Sequence, residues 1–151
     1  MKCPRDNSLL NPLRYEANID IDYCPTCKGT WLDKGELEAV QKTVERDYSQ
    51  LLNKSHLPDK VDAIYTKDKL KNFKSLSCPK CGGIMENRDY GYGSQVRIDS
   101  CIAGCGIWLD EGELQSLEIF FEKAHQEISA EEQSSSQGIF SHLVDFFKPK
   151  S

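Results

Sequence analysis

Nowhere in these 151 residues is there an apolar run of the roughly 20 positions that a membrane-crossing helix needs, so no transmembrane segment is expected. Histidine is scarce, at three residues, and no second histidine or general base accompanies the cysteine groups, which argues against zinc hydrolase chemistry. The opening Met1-Lys2-Cys3 leaves no room for a secretory signal peptide, and the seven cysteines are an odd number. A disulfide framework is therefore not expected, whereas reduced thiols in a cytoplasmic protein are. Apolar residues make up only 38% of the chain. That leaves modest material for a core, so a second source of stability is needed.

The cysteines supply it. Six fall into close pairs, Cys24 with Cys27, Cys78 with Cys81, and Cys101 with Cys105, the spacing of metal knuckles rather than scattered staples. Formal charge is −5 overall but uneven, at −2 over residues 1–50, +3 over 51–100 and −6 over 101–151. Thiolates around zinc would deepen the negative total. Such a chain is poorly placed for non-specific attraction to a polyanion, which grows with cationic contacts to phosphate.

Sliding the sequence on itself aligns residues 21–37, IDYCPTCKGTWLDKGEL, with residues 98–114, IDSCIAGCGIWLDEGEL. The offset is 77, and ten of seventeen positions are identical. Upstream, Cys3-Pro4-Arg5-Asp6-Asn7 matches Cys78-Pro79-Lys80-Cys81-Gly82 at an offset of 75. Two copies of one unit follow. Each runs from a Cys-Pro turn through about twenty extended residues to a second cysteine turn, and then Trp-Leu-Asp-x-Gly-Glu-Leu opens a helix. Asp33 with Glu36 and Asp110 with Glu113 have the spacing of an N-cap residue and its reciprocal carboxylate.

Leu37, Val40, Val44, Tyr48, Leu51 and Leu52 recur at helical steps, as do Leu114, Leu117, Phe121, Ala124 and Ile128, and the two stripes are expected to pack together or on the ribbons. The expected fold is small α+β: two tandem zinc ribbons, short antiparallel β hairpins bearing cysteine knuckles, each followed by an amphipathic α-helix. The first unit is placed at residues 1–55, a lysine-rich connector at 56–77, the second unit at 78–132, and a flexible linker with an apolar C-terminal segment at 133–151.

Zinc takes four tetrahedral donors and accepts thiolate readily. Cys78, Cys81, Cys101 and Cys105 meet that requirement fully and leave no vacant position, so the site reads as structural, with an iron-sulfur cluster as the rival. The second turn is one residue longer than its counterpart, but seven positions separate Cys101 from Trp108 and Cys24 from Trp31 alike. In the first copy Asp6 stands where a knuckle cysteine would be, so Cys3, Cys24 and Cys27 need a fourth donor. Asp6 is favoured, because a carboxylate oxygen binds zinc at similar distance. A water molecule, His56, or a degenerate ribbon without metal are the alternatives. Two zinc ions are expected and no catalytic residue is assigned. Trp31 and Trp108 are expected to cover the metal turns rather than stack on bases, and Gly35 and Gly112 to admit close approach of another backbone or an indole.

The assembled signature resembles a bacterial zinc-finger family named for its similarity to the ribbon of transcription factor IIB. The resemblance covers about residues 1–40 and 76–117. It implies that Cys78, Cys81, Cys101 and Cys105 ligate one zinc and that Cys3, Cys24 and Cys27 ligate another, with Asp6 substituted at the fourth position. The second copy departs from the pattern by its longer, proline-free turn. The family's name implies a link to transcription that the acidic chain does not independently support.

A zinc-binding, non-enzymatic interaction or adaptor protein with a protein partner is the leading expectation. The alternative is a nucleic-acid-binding transcription accessory that uses Lys67, Lys69, Lys71, Lys74 and Lys80 with Arg88, Arg97, Tyr90 and Tyr92, a reading that net charge disfavours. The third is a thiol or zinc redox sensor whose first site releases metal when Cys24 and Cys27 oxidise. Ile139, Phe140, Leu143, Val144, Phe146 and Phe147 make the C-terminal segment apolar, and docking on its own protein is expected of it.

Overall fold

In strands, alternate side chains face opposite ways, and the Trp-Leu pairs of the two repeats use this to bury both faces of a sheet. The computed structural model describes residues 1–43, 75–91 and 94–134. The first repeat forms β1 (Asn11–Arg14), β2 (Asp20–Tyr23) and β3 (Thr30–Asp33), followed by helix α1 (Glu36–Lys42). The second forms β4 (Met85–Asp89), β5 (Arg97–Cys101) and β6 (Gly106–Leu109), followed by helix α2 (Glu113–Ser134). A short 3-10 turn, Glu16–Asn18, links β1 to β2.

The two hairpins do not stand apart. β3 pairs antiparallel with β6, placing Thr30 opposite Leu109, Trp31 opposite Trp108 and Leu32 opposite Ile107. The result is one six-stranded antiparallel sheet in the order β1-β2-β3-β6-β5-β4. Trp31 and Trp108 are the same residue of the repeat, so their pairing sets a local two-fold axis between them. Pairing within the hairpins obeys it too: Asp22 faces Trp31 as Asp99 faces Trp108.

On one face of this sheet Leu32 and Leu109 join Ile21, Val96 and Ile98 under Leu37 and Val40 of α1 and Leu114, Leu117 and Phe121 of α2. Tyr90 meets Phe121 edge-on, with ring centroids 5.8 Å apart, and the Tyr15 hydroxyl donates to Glu118 Oε1 at 2.7 Å, tying the first hairpin to α2. Leu37 and Val40 of the first stripe and Leu114, Leu117 and Phe121 of the second therefore pack on the sheet. On the opposite face Trp31 and Trp108, both fully buried, pack among Cys3, Cys24, Cys78 and Cys101. Neither indole is available as a base-stacking platform. His125 is exposed on α2.

The helix starts differ from the sequence expectation in one respect. The Glu36 carboxylate accepts the Asp33 amide at 2.6 Å, and Glu113 accepts the Asp110 amide at 2.7 Å, which is the returning half of a capping box. The Asp side chains do not cap. Asp33 Oδ1 accepts Trp31 Nε1 at 2.8 Å and Asp110 Oδ1 accepts Trp108 Nε1 at 3.0 Å, because a buried indole N–H left unpaired costs more than an uncapped, solvated helix end. The N-cap of α1 is Gly35, in left-handed backbone. That helix ends at Lys42, where Thr43 is extended, so only Leu37 and Val40 of its predicted stripe lie in it. Val44, Tyr48, Leu51 and Leu52 lie outside the described residues, as do most of the connector and the apolar C-terminal segment.

The glycines also divide in an unexpected way. Gly35 and Gly112 have φ of +92° and +82° with nothing near a would-be Cβ, so left-handed backbone, not close approach, is what they provide. Close approach belongs to Gly29 and Gly106. A Cβ on Gly29 would sit 2.2 Å from Trp108 Cζ2, and one on Gly106 would sit 2.7 Å from Trp31 Cζ2 and 2.2 Å from the Leu32 carbonyl oxygen. Each repeat thus hollows one position to admit the other's tryptophan. Gly29→Ala is expected to destabilise the zinc-loaded protein by about 3 kcal/mol or more, the upper end of overpacking costs. Gly35→Ala should cost about 1–2 kcal/mol, from left-handed backbone alone. Denaturant unfolding of both variants decides the matter, and the reverse order would contradict this packing.

Candidate metal centre

Each donor group is built from two tight turns brought together by one hairpin. In the first turns, Cys3 N–H donates to the Ser8 carbonyl at 2.8 Å and Asn7 N–H to the Cys3 carbonyl at 3.0 Å. The second copy repeats both bonds, from Cys78 to Gly83 at 2.7 Å and from Gly82 to Cys78 at 2.8 Å. Asn7 at φ 64° and Gly82 at φ 73° take the same left-handed conformation, which Asn tolerates better than most residues. The knuckle shape therefore survives the exchange of cysteine for Asp6. The longer 101–105 turn is closed by Gly104, at φ 76°, whose amide donates to the Cys101 carbonyl at 2.9 Å. Gly106, by contrast, lies in β6.

These turns gather all eight sequence-predicted residues into two groups: Cys3, Asp6, Cys24 and Cys27, and Cys78, Cys81, Cys101 and Cys105. Within each group the donor atoms all lie within 4.8 Å of one another. Four donors around one zinc at about 2.3 Å would sit about 3.8 Å apart. Cys3 Sγ lies 3.5 Å from Cys27 Sγ, Cys24 Sγ lies 3.4 Å from Asp6 Oδ2, and Cys81 Sγ lies 3.7 Å from Cys101 Sγ. The two groups fit two zinc ions. Backbone amides of Arg5, Cys27, Lys80 and Gly83 each point at a cysteine sulfur from 3.4 Å, a supply of donors suited to thiolate.

The electrostatics separate the donors. The Ser8 hydroxyl and amide hold Asp6 well below the usual carboxylate range. Burial opposes ionisation of Cys24, but the Ser8 hydroxyl and the amides of Cys27 and Thr26 outweigh it and lower that thiol. Its counterpart Cys101 is also desolvated, yet the Cys105 amide and the neighbouring thiols bring it down to about 7. Burial pushes Cys27 up, and hydrogen bonds to Cys81 and Cys101 push Cys105 up to about 12. Each group thus holds one favoured thiolate at the same position of the repeat, and a divalent cation would deprotonate the rest. His56, an alternative fourth donor, lies outside the described residues.

Two further cations were not singled out by sequence reasoning as parts of these turns. Arg5 reaches across the two-fold axis to the opposite Trp-Leu-Asp segment, with Nε 2.9 Å from Asp110 Oδ1 and Nη2 2.8 Å from Asp110 Oδ2. Nη2 also lies 3.1 Å from Asp99, whose side chain is only 8% exposed. Lys80 makes the symmetric contact, Nζ to Asp33 Oδ2 at 2.8 Å. The signal was present in the repeat, since Arg5 and Lys80 are equivalent cations two residues after the first cysteine. Each Asp pairs its own tryptophan with the other repeat's knuckle.

Fused hairpins carrying two four-donor groups define a tandem metal-binding ribbon protein. Residues 2–42 and 77–118 match the transcription factor zinc-finger family, of the transcription factor IIB ribbon type, and with more than half its length matched the chain belongs to that family. No curated protein and no solved structure matches it. Among the described residues no helix is long and apolar enough to cross a membrane.

Arg5→Ala is expected to cost about 1.5–3 kcal/mol, because it strips a charge-assisted bidentate pair with Asp110 and the ion pair to the buried Asp99. Lys80→Ala, at a more exposed pair, should cost less. Chemical denaturation of the metal-loaded variants checks the order. Removing zinc with a chelator should abolish the near-ultraviolet dichroism of Trp31 and Trp108, since structural zinc in small sites contributes on the order of 10 kcal/mol. An unchanged spectrum after verified metal loss would contradict a structural role.

Proposed function

We propose that the chain is a zinc-stabilised, non-enzymatic interaction or adaptor protein, in which metal fixes a small sheet whose surface engages a protein partner. One observation carries the reading: each donor group is closed, with four protein donors mutually within reach. Catalytic zinc keeps a position open for water or substrate, whereas a fully ligated ion serves structure. The donors Cys3, Cys24, Cys78 and Cys101 are buried, Cys27 and Cys105 are half-buried, and Asp6 and Cys81 are exposed. The tryptophans are spent on the interior. What the ribbons offer outward includes Leu9, Ile84 and Ile102, each about two-thirds exposed beside a cysteine turn. Ile102 N–H donates to the Ile84 carbonyl at 3.3 Å, so those two are neighbours. Apolar contact points on an acidic chain suit a protein better than a polyanion.

Cobalt substitution tests the closed reading. The cobalt-loaded chain should show tetrahedral ligand-field bands that added azide or cyanide does not shift, and a shift would mean an open, reactive position. In parallel, zinc-loaded protein is titrated with labelled single- and double-stranded nucleic acid at low salt. No binding is expected. Binding that weakens steeply as salt rises would overturn the adaptor reading in favour of a nucleic-acid role.

A further inference from the structure

The two first knuckles repeat the same backbone hydrogen bonds, and Arg5 for Lys80 keeps the cation and Asn7 for Gly82 the left-handed backbone, but two further exchanges change the groups around the donor. Alongside Asp6 for Cys81, the offset of 75 sets Ser8 against Gly83. In the second knuckle the Gly83 amide donates to Cys81 Sγ at 3.4 Å. In the first, the Ser8 amide donates to Asp6 Oδ1 at 2.8 Å and the Ser8 hydroxyl donates to the same oxygen at 2.5 Å. That hydroxyl also lies 3.1 Å from Cys24 Sγ.

The chemistry of the two donors explains the second difference. A thiolate has one donor atom and needs little orienting. A carboxylate has two oxygens and a broad torsion about its last bond, so an unsupported Asp6 would sample orientations in which neither oxygen meets the group. Two hydrogen bonds to Oδ1 fix that torsion. They turn Oδ2 toward Cys24 Sγ, at 3.4 Å against 3.8 Å for Oδ1. Glycine, with no hydroxyl, could supply only one of these bonds.

We propose that Ser8 is a positioning residue for the first metal group: by engaging Oδ1 of Asp6 it presents Oδ2 as the fourth donor, so that Asp6 and Ser8 together replace Cys81 and Gly83. This rests on the zinc-binding reading above. Carboxylates that ligate metals are themselves held by hydrogen bonds, and loss of such a partner typically lowers metal affinity 10- to 100-fold. The contact between the Ser8 hydroxyl and Cys24 is the rival route, in which serine acts on the thiolate and not through Asp6.

A double-substitution cycle on the full chain separates the routes. Zinc affinity of each site is read by competition with a chromophoric chelator, and the second site serves as the internal measure of folding. Ser8→Ala is expected to weaken the first site about 10- to 100-fold, to leave the second unchanged, and to shift the cobalt ligand-field bands of the first site. Ser8→Thr, which keeps the hydroxyl, should restore the affinity. In an Asp6→Cys background, where a thiolate needs no orienting, Ser8→Ala should have no effect on the first site.

Unchanged affinity in Ser8→Ala overturns the proposal. So does an equal loss in the Asp6→Cys background, which would assign the effect to Cys24. A wild-type chain that loads only the second site overturns it while leaving zinc binding intact, and a chain that loads neither overturns both readings.

Discussion

The antiparallel pairing of β3 with β6, centred on Trp31 opposite Trp108, sets the other relations in this chain. Because the paired strands come from equivalent segments of the repeat, one register decides where every symmetric contact falls. Each indole enters the space left by the opposite glycine, and its N–H is satisfied by the Asp two residues on. That carboxylate's other oxygen then holds the cation of the opposite knuckle. A shift of one residue would put the two indoles on opposite faces of the sheet and undo all of these contacts at once.

Metal and sheet depend on each other through this arrangement. The knuckles are short loops with few apolar side chains, and Cys3, Cys24, Cys78 and Cys101 are packed against the tryptophans rather than against a core of their own. The converging donors of each group can all ionise together only around a cation, so the face opposite the helices needs zinc in a way that the helix face does not. The helix face is ordinary hydrophobic packing of Leu, Ile, Val and Phe. The two faces therefore have different sources of stability, joined by strands whose alternate residues serve one and then the other.

Much of this was legible in the sequence because it is written locally. Cysteine spacing, the 77-residue offset and the donor role of Asp6 at the position of Cys81 each follow from a few adjacent residues. The pairing of β3 with β6 was not, since alternation in Thr30-Trp31-Leu32 says that both sides are buried but not by which partner. For the same reason Gly29 passed unremarked, while Gly35 and Gly112 were assigned a crowding they do not have. The Asp33 and Asp110 side chains were misread because a capping signature and an indole partner use the same residue type, and the demand of a buried N–H was invisible until the tryptophans were placed. Ser8 carried no signal of its own beyond its mismatch with Gly83.

The local two-fold axis has an evolutionary reading. A chain bearing one repeat would end its sheet at β3, with unpaired backbone groups and a half-housed indole, and a second identical chain would satisfy both in the same register. The tandem protein is in this sense a homodimer joined into one polypeptide, with its partner always at hand. Joining also removes a constraint that identical subunits cannot escape, namely that every substitution appears twice. Asp6 with Ser8 in one half and the longer 101–105 turn in the other are changes of that kind, so duplication let two copies of one metal module drift into unequal ones while they kept a common interface.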